Sequence, residues 1–162
     1  MNIRVGFGFD VHQLKKDIDF WIGGIVVPHI KGGFGHSDGD VLIHAICDAL
    51  LGAANLGDIG QHFPDTDQRY KGVDSKILLS SVINLIIKEG YKIGNIDTTI
   101  CLQTPKIGPY IPEMRKVLSH CMGIDKGLIS IKATTTEKLG FVGREEGVAA
   151  YATVLIIKDL EA

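Results

Sequence analysis

The chain has 162 residues, 45% of them apolar and 22% charged, with a formal net charge of −2. That profile predicts one globular domain over residues 1–162 with its own core, and it excludes a disordered chain or a disulfide-stapled mini-protein. There is no run of Lys and Arg, so nucleic acid and anionic membranes are not expected partners; a small phosphorylated ligand, which needs only a few donors, stays open.

The first element is a strand around GFGFDVHQL, residues 6–14. Val5, Phe7, Phe9 and Val11 share one face, which reads as the core face. Gly6, Gly8, Asp10 and His12 share the other. The bare glycines predict close approach of another chain or of a ligand. DFWIGGIVVP reads as a hairpin turning at Gly23-Gly24. SDGD at 37–40 offers Ser37 as the N-cap of a helix over about 38–55, with Asp40 three residues later. That helix is apolar nearly all round, so both of its sides need a cover, and another subunit is one candidate. Interrupted by His44 and Asp48, it is too short for an easy membrane span. The N-terminus lacks the apolar stretch of a signal peptide.

Asp74 is placed to cap a second helix that ends before Gly90. NIDTTICLQ alternates as a strand. A third helix is predicted near 111–122, with Pro112 in its first turn, Gly123 beyond its end, and Ile111, Met114, Val117, Leu118 and Cys121 along one stripe. LISIKATTT and GVAAYATVLIIK are the last two strands, the second apolar enough to be central. A helix between the strands near 96–103 and 129–135 predicts a parallel crossover. The last two strands are predicted to pair as a hairpin across residues 138–146. The fold class is therefore α+β: a mixed four-stranded sheet of β-α-β-α-β-β order, plus a small hairpin, covered by helices on one face. Cys47, Cys101 and Cys121 form no CxxC pair. They read as buried thiols in a cytoplasmic protein.

Three clusters carry chemistry. Asp10 and His12 point the same way from a strand and could offer one oxygen and one nitrogen to a divalent metal, or simply face water. His44, inside the apolar helix, would complete a three-ligand set with one open position, the pattern of a catalytic zinc. Asp40 either orients a ligand histidine or caps the helix. In GDIGQHFPDTD, Asp58 follows the apolar helix and is the carboxylate best placed to face a pocket, whereas Asp67 reads as part of a solvated turn. In KATTTEKLGFVGREEG, the hydroxyls of Thr134, Thr135 and Thr136 with Lys138 and Arg144 suit phosphate oxygens, and Glu137 suits a Mg²⁺ bound to them.

DVH, HSDGDVLIHAICDALLGAANLGDIGQHFPDTD, QTPK and ATTTEKLGFVGREEG together resemble the 2-C-methyl-D-erythritol 2,4-cyclodiphosphate synthase family, in order and across essentially the entire chain. Gln68, where proline is common, and Glu145, where glycine is frequent, are small departures. The resemblance implies a phosphorus–oxygen lyase of the non-mevalonate isoprenoid route. Its substrate is 4-diphosphocytidyl-2-C-methyl-D-erythritol 2-phosphate, whose 2-phosphate attacks the β-phosphorus while CMP leaves. By resemblance, Asp10, His12 and His44 hold one Zn²⁺ per subunit, and Glu137 helps hold a second divalent ion, Mg²⁺ or Mn²⁺. His36 and Thr135 match the transition-state stabilisers, and His36 and Ser37 lie on a mobile loop. Val11, Asp58, Ile59, Gly60, Phe63, Pro64, Asp65, Thr66 and Asp67 fall at substrate positions, with Asp58 at the methylerythritol hydroxyls. Leu102, Gln103, Thr104, Pro105, Lys106, Ile107 and Gly108 resemble the cytidine site, carried by a neighbouring subunit of a homotrimer whose sheets pack around the threefold axis. Phe9, Phe141 and Arg144 match a central cavity that can hold isoprenoid diphosphates. The residues alone also admit a zinc-dependent phosphohydrolase acting on a nucleotide diphosphate, and a non-catalytic ligand-binding trimer.

Overall fold

The computed structural model describes residues 2–158. Strand β1 (Ile3–Lys16) alternates as expected, but its faces are the reverse of the expectation. Gly6 and Gly8 are buried, whereas Val5 and Phe7 are each 65% exposed. The reason is helix α1 (Val41–Ala54), which lies directly on the glycines. A Cβ on Gly6 would stand 1.9 Å from the carbonyl oxygen of Ala49, and one on Gly8 would stand 2.0 Å from that of Ala45. The close approach comes from the chain's own helix, and alternation alone could not say which face was inner.

The apolar circumference of α1 is also covered from within the chain. The sheet packs on one side and helix α3 (Ser75–Lys88) on the other. Its N-cap is Asp40 and not Ser37: the Asp40 carboxylate accepts from Ile43 N at 3.0 Å. The same fully buried carboxylate accepts from Gly23 N at 3.0 Å and Gly24 N at 2.7 Å, in the turn between β2 (Phe20–Ile22) and β3 (Ile25–Val27). Asp40 therefore joins hairpin to helix, the capping alternative of the two open for it.

The sheet has five strands, not four, in the order β4-β1-β7-β5-β6. The additional strand is β4 (Lys31–Phe34), antiparallel to the end of β1. Its glycines, Gly32 and Gly33, hid it from strand propensity. β5 (Tyr91–Cys101) and β6 (Ile129–Thr134) pair in parallel as expected, joined through α4 (Ile111–Met122), which ends at Gly123 with φ 66°.

The predicted hairpin of the last two strands does not form. β7 (Gly147–Lys158) lies between β1 and β5, antiparallel to both, so it is central as its apolar sequence required. Between β6 and β7 the chain is far longer than a hairpin loop, long enough to step over β5 and carry a short helix, α5 (Gly140–Gly143). Two long neighbours also satisfy more of β7's backbone than the short β6 could. Three residues bracketing this connection, Glu137, Lys138 and Glu145, have φ of 52°, 64° and 58°. The left-handed backbone at Glu145 explains why glycine suits that position.

Candidate active site

Register fixes where the chemistry sits. Asp10 pairs with Ala150, Ala150 with Ile100, and Ile100 with Ala133, one row across the sheet. The next row runs Val11, Ala149, Cys101, Thr134. The first and third clusters thus share one end of the sheet. Three strand spacings separate them, about 14 Å.

From β1 and α1, three side chains converge. His12 Nε2 lies 2.7 Å from Asp10 Oδ2, His44 Nδ1 lies 3.1 Å from the same oxygen, and the two nitrogens are 3.2 Å apart. Two imidazole nitrogens facing one another and a carboxylate need a proton or a cation among them. Around a tetrahedral zinc with bonds of about 2.0–2.1 Å, donor atoms would stand about 3.3 Å apart. The three donors therefore fit one metal ion with little movement, and they are the only such group among the described residues. Burial opposes ionisation of Asp10, but the hydrogen bonds and charges of His12 and His44 outweigh it and hold the carboxyl well below its usual range. At His44 burial likewise opposes the cation, and the hydrogen bond and charge of Asp10 win, raising its proton affinity.

The triad opens into a cavity of about 480 Å³. Its walls include Val11, His36 and Ser37 from the segment after β4, and Ile59, Gly60, Phe63, Pro64 and Asp65 around α2 (Ile59–His62). Sequence reasoning missed Asp48, one helical turn beyond His44 on α1, which also lines this cavity. Burial pushes its carboxyl upward, and it accepts from Ile59 N at 2.8 Å, fixing α2 against α1. The i, i+4 spacing from His44 was the available signal. Asp58, expected to face the pocket, is exposed and does not line this cavity; its carboxylate caps α2 and accepts from the Gln61 backbone and side chain.

A second cavity, of about 300 Å³, is lined by Leu102, Pro105, Lys106, Ile107, Gly108, Thr134 and Thr135. The remaining predicted residues line neither. Gln103 accepts from Lys138 N, and Thr135 donates to Glu137 Oε1 at 3.0 Å. Thr136 donates to Leu139 O. Asp67 is paired with Arg69, as a solvated turn would have it, with Thr66 beside it. Thr104 stands in the loop after β5. Phe9 and Phe141 are 44% and 41% exposed, and Arg144 is paired with Glu146. Glu137 belongs to no group of three or more potential metal ligands among the described residues, so any ion there would need phosphate oxygens and water rather than a cage made only of protein.

A partly buried carboxylate–imidazole triad opening into a cavity at one end of a mixed sheet describes an enzyme pocket that could hold a metal ion. The YgbB family model matches residues 3–157, and the chain belongs to that family. A relative from Bacteroides fragilis, 65% identical over 156 residues, covers 96% of this chain and 98% of its own; it bears the name 2-C-methyl-D-erythritol 2,4-cyclodiphosphate synthase. A Porphyromonas gingivalis relative of the same name is 59% identical over 95% of both chains. Among solved structures, a Plasmodium falciparum IspF in complex with CDP matches at a TM-score of 0.86 and 35% identity, covering 98% of this chain and 99% of that one. The bifunctional IspDF of Campylobacter jejuni matches at 0.93 and 40% identity over 96% of this chain, which spans 42% of that protein's length.

Proposed function

We propose that the protein closes 4-diphosphocytidyl-2-C-methyl-D-erythritol 2-phosphate into 2-C-methyl-D-erythritol 2,4-cyclodiphosphate and CMP. An oxygen of the 2-phosphate bonds to the β-phosphorus while the bond from that phosphorus to the CMP oxygen breaks. The observation that carries this reading is the Asp10–His12–His44 triad opening into a 480 Å³ cavity, in a chain 65% identical to a synthase of that name.

Nucleophile and electrophile belong to one molecule, so no covalent enzyme intermediate is needed and positioning is the protein's main task. Asp10, His12 and His44 would hold a zinc ion and Glu137 a Mg²⁺ or Mn²⁺, and such ions, when bound, would supply positive charge beside the diphosphate. His36, in the wall of the first cavity, and Thr135, in the second, donate hydrogen bonds to phosphate oxygens as charge shifts between them. Leu102 to Gly108 hold the cytidine. Asp58, next to the cavity-lining Ile59 and Gly60, meets the methylerythritol hydroxyls. Glu137 and Lys138 sit consecutively in the left-handed region, at a cost of about 1–2 kcal/mol each, the kind of strain that functional loops retain.

Within one chain the two half-sites stand about 14 Å apart, too far for one diphosphate to meet both. We therefore place the complete site between subunits of a homotrimer, the first cavity from one and the second from its neighbour. The exposed apolar face of β1 supports this, since Val5, Phe7, Phe9 and Val11 are unsuited to water. Phe9, Phe141 and Arg144 then face a shared central cavity with room for an isoprenoid diphosphate. Three free cysteines fit a cytoplasmic location.

Phosphorus NMR of the product tests the reaction. The cyclase yields two mutually coupled diphosphate phosphorus atoms in a ring, together with CMP. A linear phosphate product would instead identify a phosphohydrolase.

A further inference from the structure

Nothing in the sequence linked Ser75 to the metal centre, yet it touches a proposed ligand. Ser75 is the first residue of α3 and is fully buried. Its Oγ lies 2.9 Å from His44 Nε2, the ring nitrogen turned away from Asp10. Its hydroxyl donates to Asp38 Oδ1 at 2.5 Å, and its backbone N–H donates to Asp38 Oδ2 at 2.9 Å. Asp38 Oδ1 is also held by Asp40 N at 3.1 Å.

Proton counting orders these contacts. A serine hydroxyl has one proton, and here Asp38 takes it. Ser75 Oγ can then only accept from His44, so the imidazole proton sits on Nε2. That leaves the Nδ1 lone pair free, pointing into the group formed with Asp10 Oδ2 and His12 Nε2. Ser37 Oγ also stands 3.0 Å from His44 Nε2, and 3.3 Å from Ser75 Oγ, but it lies in the cavity wall and no carboxylate holds it. The Asp40 side chain has no part in this chain of contacts, since its carboxylate is taken up by three backbone N–H groups.

We infer that Ser75, anchored by Asp38, is a positioning residue that fixes the ring orientation and tautomer of His44 for metal binding. The inference rests on the metal-centre reading of Asp10, His12 and His44. Outer partners of this kind are typically worth ten- to a hundredfold in metal affinity.

The test is zinc affinity of the full chain by chelator competition, with the thermal midpoint of the metal-free protein measured alongside. Wild type binds about one zinc per chain. Ser75→Ala keeps the Asp74 cap and the backbone N–H, so it folds, and it binds zinc about ten- to a hundredfold more weakly. Asp38→Asn also weakens binding, because an amide cannot accept from all three donors. Because Asp38 acts through Ser75, the double variant binds within about twofold of Ser75→Ala; independent structural damage would multiply the two losses instead. Ring-nitrogen NMR of the zinc-loaded wild type shows the His44 proton on Nε2. Ser75→Ala binding within about twofold of wild type, multiplying losses, or a proton on Nδ1 would each overturn the relay. A wild type that binds no zinc would overturn the metal centre and the relay with it.

Discussion

Asp10, His12 and His44 meet within 3.2 Å, and at this scale the sequence was most informative. The i, i+2 spacing of the first pair and a histidine within an apolar helix were visible signs of a metal set. Their outer partners were not, because Asp38 and Ser75 are 37 residues apart and meet only through the fold. Asp38 and Asp40 flank a single glycine, and no local rule says which carboxylate faces the turn and which faces Ser75. His44→Ala should lose most of the bound zinc and keep its fold, measured by metal analysis and circular dichroism. Glu137→Gln keeps the side chain's shape but removes its charge. It should retain zinc, depend less on Mg²⁺, and slow cyclisation at least tenfold, about 1.4 kcal/mol of barrier. A normal rate with an unchanged Mg²⁺ requirement would remove Glu137 from the second-metal role.

At the scale of elements, α3 and α4 and their ends were legible because capping chemistry is local, although at α1 the cap is Asp40 and not Ser37. Asp74 and Gly123 bound α3 and α4 where expected. Sheet order was not, because it is set by contacts between distant strands. The loop between β6 and β7 gave one clue, being too long for a tight hairpin. The inner face of β1 had a clue of its own: Ala45, Ala49 and Ala53 recur every four residues on α1, a stripe of small residues suited to a glycine-lined strand. Gly6 and Gly8 meet that stripe at its backbone, which cannot give way as a side chain end could. Gly8→Ala should therefore destabilise the protein by about 3 kcal/mol or more, measured by urea unfolding. Gly108→Ala, where an added Cβ meets nothing within 4 Å, is the control and should change stability little.

At the scale of the whole molecule, one row of residue pairs joins Asp10 of the candidate metal triad to Ala133, beside the threonine loop, with two strands between them. The apolar outer face of the sheet carries Val5, Phe7, Phe9, Val11 and Tyr151, with Phe9 and Tyr151 rings 5.0 Å apart. Phe7→Asp should dissociate the proposed trimer in sedimentation and abolish cyclisation while each chain still binds zinc. A fully active monomer would contradict the assembly. The claim that joins fold, assembly and chemistry is that one subunit's metal triad works with its neighbour's Glu137. Its most direct measurement is cyclisation by mixed trimers of His44→Ala and Glu137→Gln chains, followed by phosphorus NMR. Neither variant alone should turn over at the normal rate. A site shared between subunits restores cyclic product on mixing, because some interfaces then combine an intact triad with an intact Glu137. Mixed trimers no more active than the better parent would contradict it.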